Sequence, residues 1–170
     1  MKSKKKQEKK IVAVSGGFDP LHVGHVRMFK KAKKLGDTLV VILNNDNWLK
    51  KKKGYVFMPD KERKELIEAI ESVDKVVLSK HRPNPKDMSI SKELSFLRPH
   101  IFANGGDRNK KDAANPNSSL HKDIRTCEKI GIQIVYNVGK GGKIQSSSWL
   151  LSKYFDVVGK KKKKNNQHGR

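Results

Sequence analysis

The sequence predicts an α/β protein: a doubly wound, five-stranded parallel sheet with helices on both faces. Three observations predict it. Short apolar runs of strand length alternate with longer segments of helical periodicity. Glycine-rich or polar segments follow the apolar runs, as binding loops do at the carboxyl edge of such a sheet. A chain of 170 residues suits one domain of this kind.

The elements follow in order. "IVAV" (11–14) reads as a buried strand. In 23–36, Val23, Val26, Met28, Phe29, Ala32 and Leu35 gather on one side of a helix that Gly36 stops. "DTLVVIL" (37–43) is a second strand. Pro59 and Asp60 open a helix over 58–73, whose apolar stripe is Leu66, Ile67 and Ile70, and "KVVLS" (75–79) is a third strand. Pro83 and Pro85 mark a loop, and a short helix in "SISKELSFLRP" ends at Pro99. "HIFAN" (100–104) is the fourth strand and leads through a polar loop to a helix over 118–131. "IQIVYNV" (132–138) is the fifth strand, and "SSSWLLSKYF" (146–155) the last helix. The arrangement is Rossmann-like. Residues 16–25, 44–46, 104–107 and 139–148 each follow a strand and should meet at one edge of the sheet.

Composition narrows the partners. Hydrophobic residues are only 35% of the chain, and the net charge is +22. Residues 1–10 and 160–170 hold 12 basic and 1 acidic residue, leaving 27 basic against 16 acidic, a net +11, in between. The anionic partners this excess favours are phosphorylated small molecules, nucleic acid and acidic membrane. The domain is expected over 11–158, flanked by disordered basic tails at 1–10 and 159–170. These tails serve either as solubilising ends or as polybasic arms for RNA or anionic lipid. One cysteine, Cys127, allows no internal disulfide. With no signal-like run and no stretch near the ~18 apolar residues of a membrane span, the expected location is cytoplasmic.

The most informative stretch is "SGGFDPLHVGH" (15–25). Gly16 and Gly17 let backbone approach a ligand with no Cβ in the way. The helix starting near Val23 directs free N–H groups and its positive dipole end to the same place, which favours phosphate. His22 and His25, three residues apart, share one face of the first turn, with Gly24 keeping the surface between them low. Two imidazoles can then donate to one anionic group. No Gly-Lys-Ser/Thr follows, so this is not a P-loop, and no His/Cys cluster completes a structural zinc site.

"GGFDPLHVGH" closely resembles the signature of the HxGH nucleotidyltransferases, the cytidylyltransferase-like superfamily. "KKAKKLGDTLVVILNND" and "PDKERKELIEAIESVDKVV" resemble the helix–strand pairs of glycerol-phosphate cytidylyltransferase and heptose-phosphate adenylyltransferase. "FANGGDR" is similar to a segment of the latter, and "KIQSSSWLL" to the late Ser/Thr motif opening the last helix. The resemblance implies in-line attack of an acceptor phosphate on the α-phosphorus of a nucleoside triphosphate, with pyrophosphate leaving. It implies His22, His25 and Lys53 as catalytic residues. Gly17, Phe18, Gly24, Lys52, Arg63, Gly106, Asp107, Ser146, Ser147 and Ser148 would bind the nucleotide, and Asp19 and Asp46 the acceptor. Magnesium would be held through the triphosphate, with no protein metal site. A homodimer is the assembly common among relatives. CTP with a polyol or amino-alcohol phosphate is the leading reading. The alternative is ATP with a sugar phosphate, FMN or phosphopantetheine, and a third reading is a basic RNA- or membrane-binding protein that retains the fold.

Several positions keep two readings. Asp19 either fixes the turn before Pro20 or contacts a ligand. Lysines 50–53 form either a solvated loop or a phosphate-neutralising one. The serines are an ordinary N-cap or triphosphate ligands. Asp46 is a helix cap or a substrate contact, and Asp107 a turn residue or a nucleotide contact. Trp48 and Trp149 pack in the core or a lid, or stack on a base. Leu151 stands where many family members carry Arg or Lys, and Lys140, Lys143 and Lys153 are the nearest replacements.

Overall fold

The computed structural model describes residues 8–105, 108, 110–139 and 146–167. Five strands form one all-parallel sheet: β1 (Ile11–Gly16), β2 (Thr38–Leu43), β3 (Lys75–Leu78), β4 (Ile101–Gly105) and β5 (Gln133–Val138). Their order is β3-β2-β1-β4-β5. The chain moves outward from β1 to β3, then returns to the other side of β1 for β4 and β5. The topological switch point therefore lies between β1 and β4, and the crevice at their carboxyl ends is where such sheets bind ligands.

Strand alternation assigns the two faces. Val12 and Val14 of β1, Leu39, Val41 and Leu43 of β2, and Ile101 and Ala103 of β4 pack with Phe29 and Ala32 of α1 (Val23–Lys33) and Ile67 of α3 (Asp60–Glu68). Ala13, Ile42 and Phe102 point the other way. They meet Leu94 of α4 (Ser91–Leu97), Ala113 of α5 (Lys110–Ala114), and Leu120, Ile124 and Cys127 of α6 (Ser119–Ile130). Both faces are covered, as the near-continuous apolar runs of β1 and β2 require.

The structure departs from expectation in four places. The lysine run 50–53 is no loop: it is the last turn of α2 (Asp46–Lys53). Asn45 caps this helix by accepting from Trp48 N, the lysines lie at its negative end, and Gly54 closes it at φ 84°. The helix expected over 58–73 ends at Glu68. Beyond it, three-residue turns (Ile70 N–H to Ile67 O, Val73 N–H to Ile70 O) tighten the chain into β3. The polar loop after β4 contains the short α5. The last helix, α7 (Ser147–Gln167), continues through the lysine run expected to be a disordered tail, where lysine's good helix propensity outlasts the single Gly159. No helix among the described residues is long and apolar enough to cross a membrane.

Candidate active site

The Gly16–His25 loop leaves β1 at the switch point, and the packing of each residue fixes its shape. Phe18 takes φ 49° and is 6% exposed. Its ring stands edge-on to His25 at 4.9 Å and to Phe29 at 5.1 Å. A Cβ on Gly16 would lie 2.8 Å from that ring, and one on Gly17 2.8 Å from Leu49 Cδ2, so neither position has room for a side chain. Gly24 makes room for a histidine: a Cβ there would sit 2.9 Å from His22 Cε1 and displace the imidazole folded over the first turn of α1.

The two imidazoles stack with centroids 3.7 Å apart. His22 caps α1: its Nδ1 accepts from Gly24 N at 3.1 Å, while His25 Nδ1 accepts from His22 N at 3.3 Å. A ring nitrogen that accepts an N–H carries no proton, so each neutral ring keeps its proton on Nε2. Burial, then the charges of His22 and Lys53, hold His25 down to about 3, and burial lowers His22 as well. The pair is thus two neutral, oriented N–H donors, the form suited to bind anionic oxygens without themselves exchanging protons at neutral pH.

Neutral imidazoles do not balance phosphate charge; α2 brings the cations. Lys53 Nζ donates to Asp19 O at 2.6 Å, and burial lowers its pKa against the pull of Asp19. Lys52 has no partner among the described residues. At the C-terminal ends of the flanking strands stand Asn44 and Asn104, 4% and 6% exposed. Asn44 Oδ1 and Asn104 Nδ2 find no hydrogen-bond partner among the described residues. Buried unpaired amides are costly unless a ligand completes them.

One cavity of about 350 Å³ gathers Gly17, Phe18, Asp19, His22, Gly24, His25, Lys52, Lys53 and Ser146, Ser147 and Ser148. Ser146 Oγ caps α7 by accepting from Trp149 N, and Ser147 Oγ donates to Pro20 O at 2.9 Å, docking that helix start on the first loop. Three side chains expected to contact ligands are engaged within the protein. Arg63 is fully buried, and its guanidinium is spent on Met58 O, Gly17 O, Asn44 O and the Asp46 carboxylate. It binds loops together rather than facing a nucleotide, and the ion pair occupies Asp46 in turn. Asp19, 1% exposed, accepts from Phe57 N and Met58 N through its two carboxyl oxygens, so its side chain ties the first loop to the segment before α3. Gly106, Asp107, Lys140 and Lys143 lie outside the described residues. Leu151 is buried, and Lys153 rests over the Trp149 ring at 3.9 Å. Trp48 lines the cavity, with its Nε1 donating to Met88 O.

Sequence reasoning missed two cations on the cavity wall, Arg27 of α1 and Arg108 after β4. Arg108 had a signal, standing directly after Gly-Gly-Asp. Arg27 is one basic residue among many on an exposed helix face. Among the described residues no three His, Cys, Asp or Glu side chains group as a metal site.

A parallel sheet with its switch point under a His-x-Gly-His turn defines a nucleotidyltransferase. The chain belongs to the cytidylyltransferase-like family, whose model matches residues 13–130. It is 39% identical over 142 residues to FAD synthase of Thermococcus sibiricus, covering 81% of this chain and 92% of that one. It is 35% identical over 125 residues to the bifunctional protein HldE of Nitratiruptor sp., where the match spans 72% of this chain but only 25% of the longer protein. Among solved structures, the lipopolysaccharide core biosynthesis protein of Thermoplasma volcanium aligns with a TM-score of 0.59 at 25% identity, covering 76% of this chain and 95% of that one.

Proposed function

We propose that this chain is an adenylyltransferase that moves AMP from ATP to FMN, forming FAD and pyrophosphate. The near full-length likeness to an FAD synthase is the observation that favours ATP over the CTP reading. In this reading the acceptor's phosphate oxygen attacks the α-phosphorus in line. The new P–O bond forms as the bond to the β-phosphate bridging oxygen breaks, and pyrophosphate departs with that electron pair. No proton need move, which agrees with histidines held neutral.

His22 and His25 Nε2–H donate to the phosphate oxygens on which charge grows. Lys53, pinned by Asp19 O, supplies a point charge whose position is set before the substrate arrives. The serines at the start of α7 face the β- and γ-phosphates, and Arg27 supplies there the cation that Leu151 does not. Asn44 and Asn104 offer the polar atoms that complete ligand hydrogen bonds. Asp19, the carboxylate of the first loop, accepts a backbone N–H at each oxygen, so magnesium would enter bound to the triphosphate and water.

A sugar phosphate is the second reading for the acceptor, supported by the HldE and Thermoplasma likenesses and by the resemblance to heptose-phosphate adenylyltransferase. Pyrophosphate release measured for ATP, CTP, GTP and UTP against FMN and a panel of sugar and polyol phosphates tests both. The proposal expects ATP with FMN to give the highest kcat/KM. A higher value for CTP with any acceptor overturns it.

A further inference from the structure

A second cavity of about 700 Å³ adjoins the first, and the two share Trp48, Lys52, Met88, Arg108 and Ser119 as a common wall. Its far end belongs to the α5–α6 segment, where Asn115, Asn117 and Ser118 line it. Resting on the adenylyl-transfer reading, we propose that this second cavity is the acceptor chamber. Lys52 and Arg108 take the acceptor's phosphate at the shared wall, and Asn115 and Asn117 read the polar part of the acceptor beyond it.

The placement follows from what transfer requires. Two anions must meet at the histidine pair, so the cations that hold the acceptor's phosphate must border both spaces. Lys52 and Arg108 are cations in both linings, whereas Lys53 and Arg27 face only the first. Arg108 is also ready to change partners. Its link to Asp112 is 3.3 Å long between groups about one-third exposed, a weak pair that a phosphate dianion with bidentate geometry displaces. Asp112 keeps a hydrogen bond from Ser118 Oγ at 2.8 Å when Arg108 turns, so the segment is held without it. Beyond the wall the lining changes character. Asn115 accepts from Asn117 N at 3.0 Å, a turn that shapes the amide-bearing rim. Two amides, the Ser118 hydroxyl and the Asp112 carboxylate, with no cation among them, keep the acceptor's phosphate at the wall and suit a hydroxylated chain beyond it, as the ribityl phosphate of FMN has.

The test is steady-state kinetics on the full chain, varying ATP and the acceptor separately, with Arg108→Gln and Asn117→Ala. Arg108→Gln should raise the acceptor KM by ~10- to 100-fold, the scale of a lost charge-assisted hydrogen bond, and Asn117→Ala by ~5-fold, that of a neutral one. For Asn117→Ala the KM for ATP should move less than ~2-fold, since this exposed residue lines only the second cavity. Asn117→Asp, which adds a negative charge without a change of shape, should raise the acceptor KM further than alanine does. If acceptor KM stays constant in all three variants, or ATP KM rises in its place, the chamber assignment is overturned while adenylyl transfer stands. Absence of turnover by the unaltered chain with every phosphomonoester overturns the transfer reading and the chamber with it.

Discussion

The first loop and the start of α7 line the same cavity, yet they are held in different ways. In Gly16–His25, Phe18 is wedged against His25, Asp19 is tied by two amides, and Arg63 fastens Gly17 to β2 and α3. At Ser146–Ser148, among the described residues, the holding is done by the Ser146 cap, the bond from Leu150 N to Ser146 O and the bond from Ser147 to Pro20. The first region is preorganised, so its donors need no rearrangement when charge develops on the phosphate. The second is partly exposed and held by fewer side-chain bonds among the described residues. Substitutions on the two sides should therefore cost very different amounts.

The largest effect falls on Arg63, which touches no substrate in this account. Arg63→Ala leaves the Asp46 carboxylate and three backbone carbonyls without their guanidinium, and should cost ~3–5 kcal/mol of stability in urea unfolding. A loss no greater than that of an exposed surface arginine would break the contrast between the two regions.

Next come the histidines. His22→Ala and His25→Ala should each lose at least ~100-fold in turnover while folding normally, the scale of a removed transition-state donor. Near-normal pyrophosphate release from either would remove them from the chemistry.

A smaller effect lies in the pH dependence of stability. His25 is held at about 3 in the fold against 6.5 unfolded, so between those values the unfolded chain binds the extra proton and stability rises with pH. Asp123, raised to about 7 by burial from 3.8, does the reverse: the folded chain binds the extra proton, and stability falls as pH rises through that window. From 3.8 to 6.5 the two oppose each other. Asp123→Asn removes one side, so the variant's stability should rise more steeply than the parent's by about 1.4 kcal/mol per pH unit. Parallel curves would show that the Asp123 shift is absent.

The smallest effect is expected opposite the histidines. Ser147→Ala removes one hydrogen bond to Pro20 O and should raise the KM for the triphosphate by ~5-fold, about 1 kcal/mol. A loss as large as that of the histidine variants would make the start of α7 an equal partner of the first loop.

What could be read from the sequence follows the same division. The strands were legible because parallel strands buried on both faces are uninterrupted apolar runs, and the His-x-Gly-His turn because its chemistry lies within four consecutive residues. The second helix was hidden by four lysines, although Asn45, Asp46 and Gly54 spell out its cap, its first turn and its stop. Arg63 was legible as a nucleotide-binding candidate but not as a buried clasp, since its partners come from three separate stretches: Gly17, Asn44 with Asp46, and Met58. Asn44 and Asn104 stand at the ends of their strands visibly in sequence, yet only the packed fold shows that Asn44 Oδ1 and Asn104 Nδ2 lack partners among the described residues. The second cavity, formed where α2 meets the α5–α6 segment, has no local signature at all.

The central claim, that the histidine turn serves adenylyl transfer, is tested most directly by following label. With ATP labelled at its α-phosphorus and FMN as acceptor, the account predicts label in FAD, one pyrophosphate released per FAD formed, and both formed at least ~100-fold more slowly when His25 is alanine. Label that remains in ATP, or that transfers only from CTP, would contradict it.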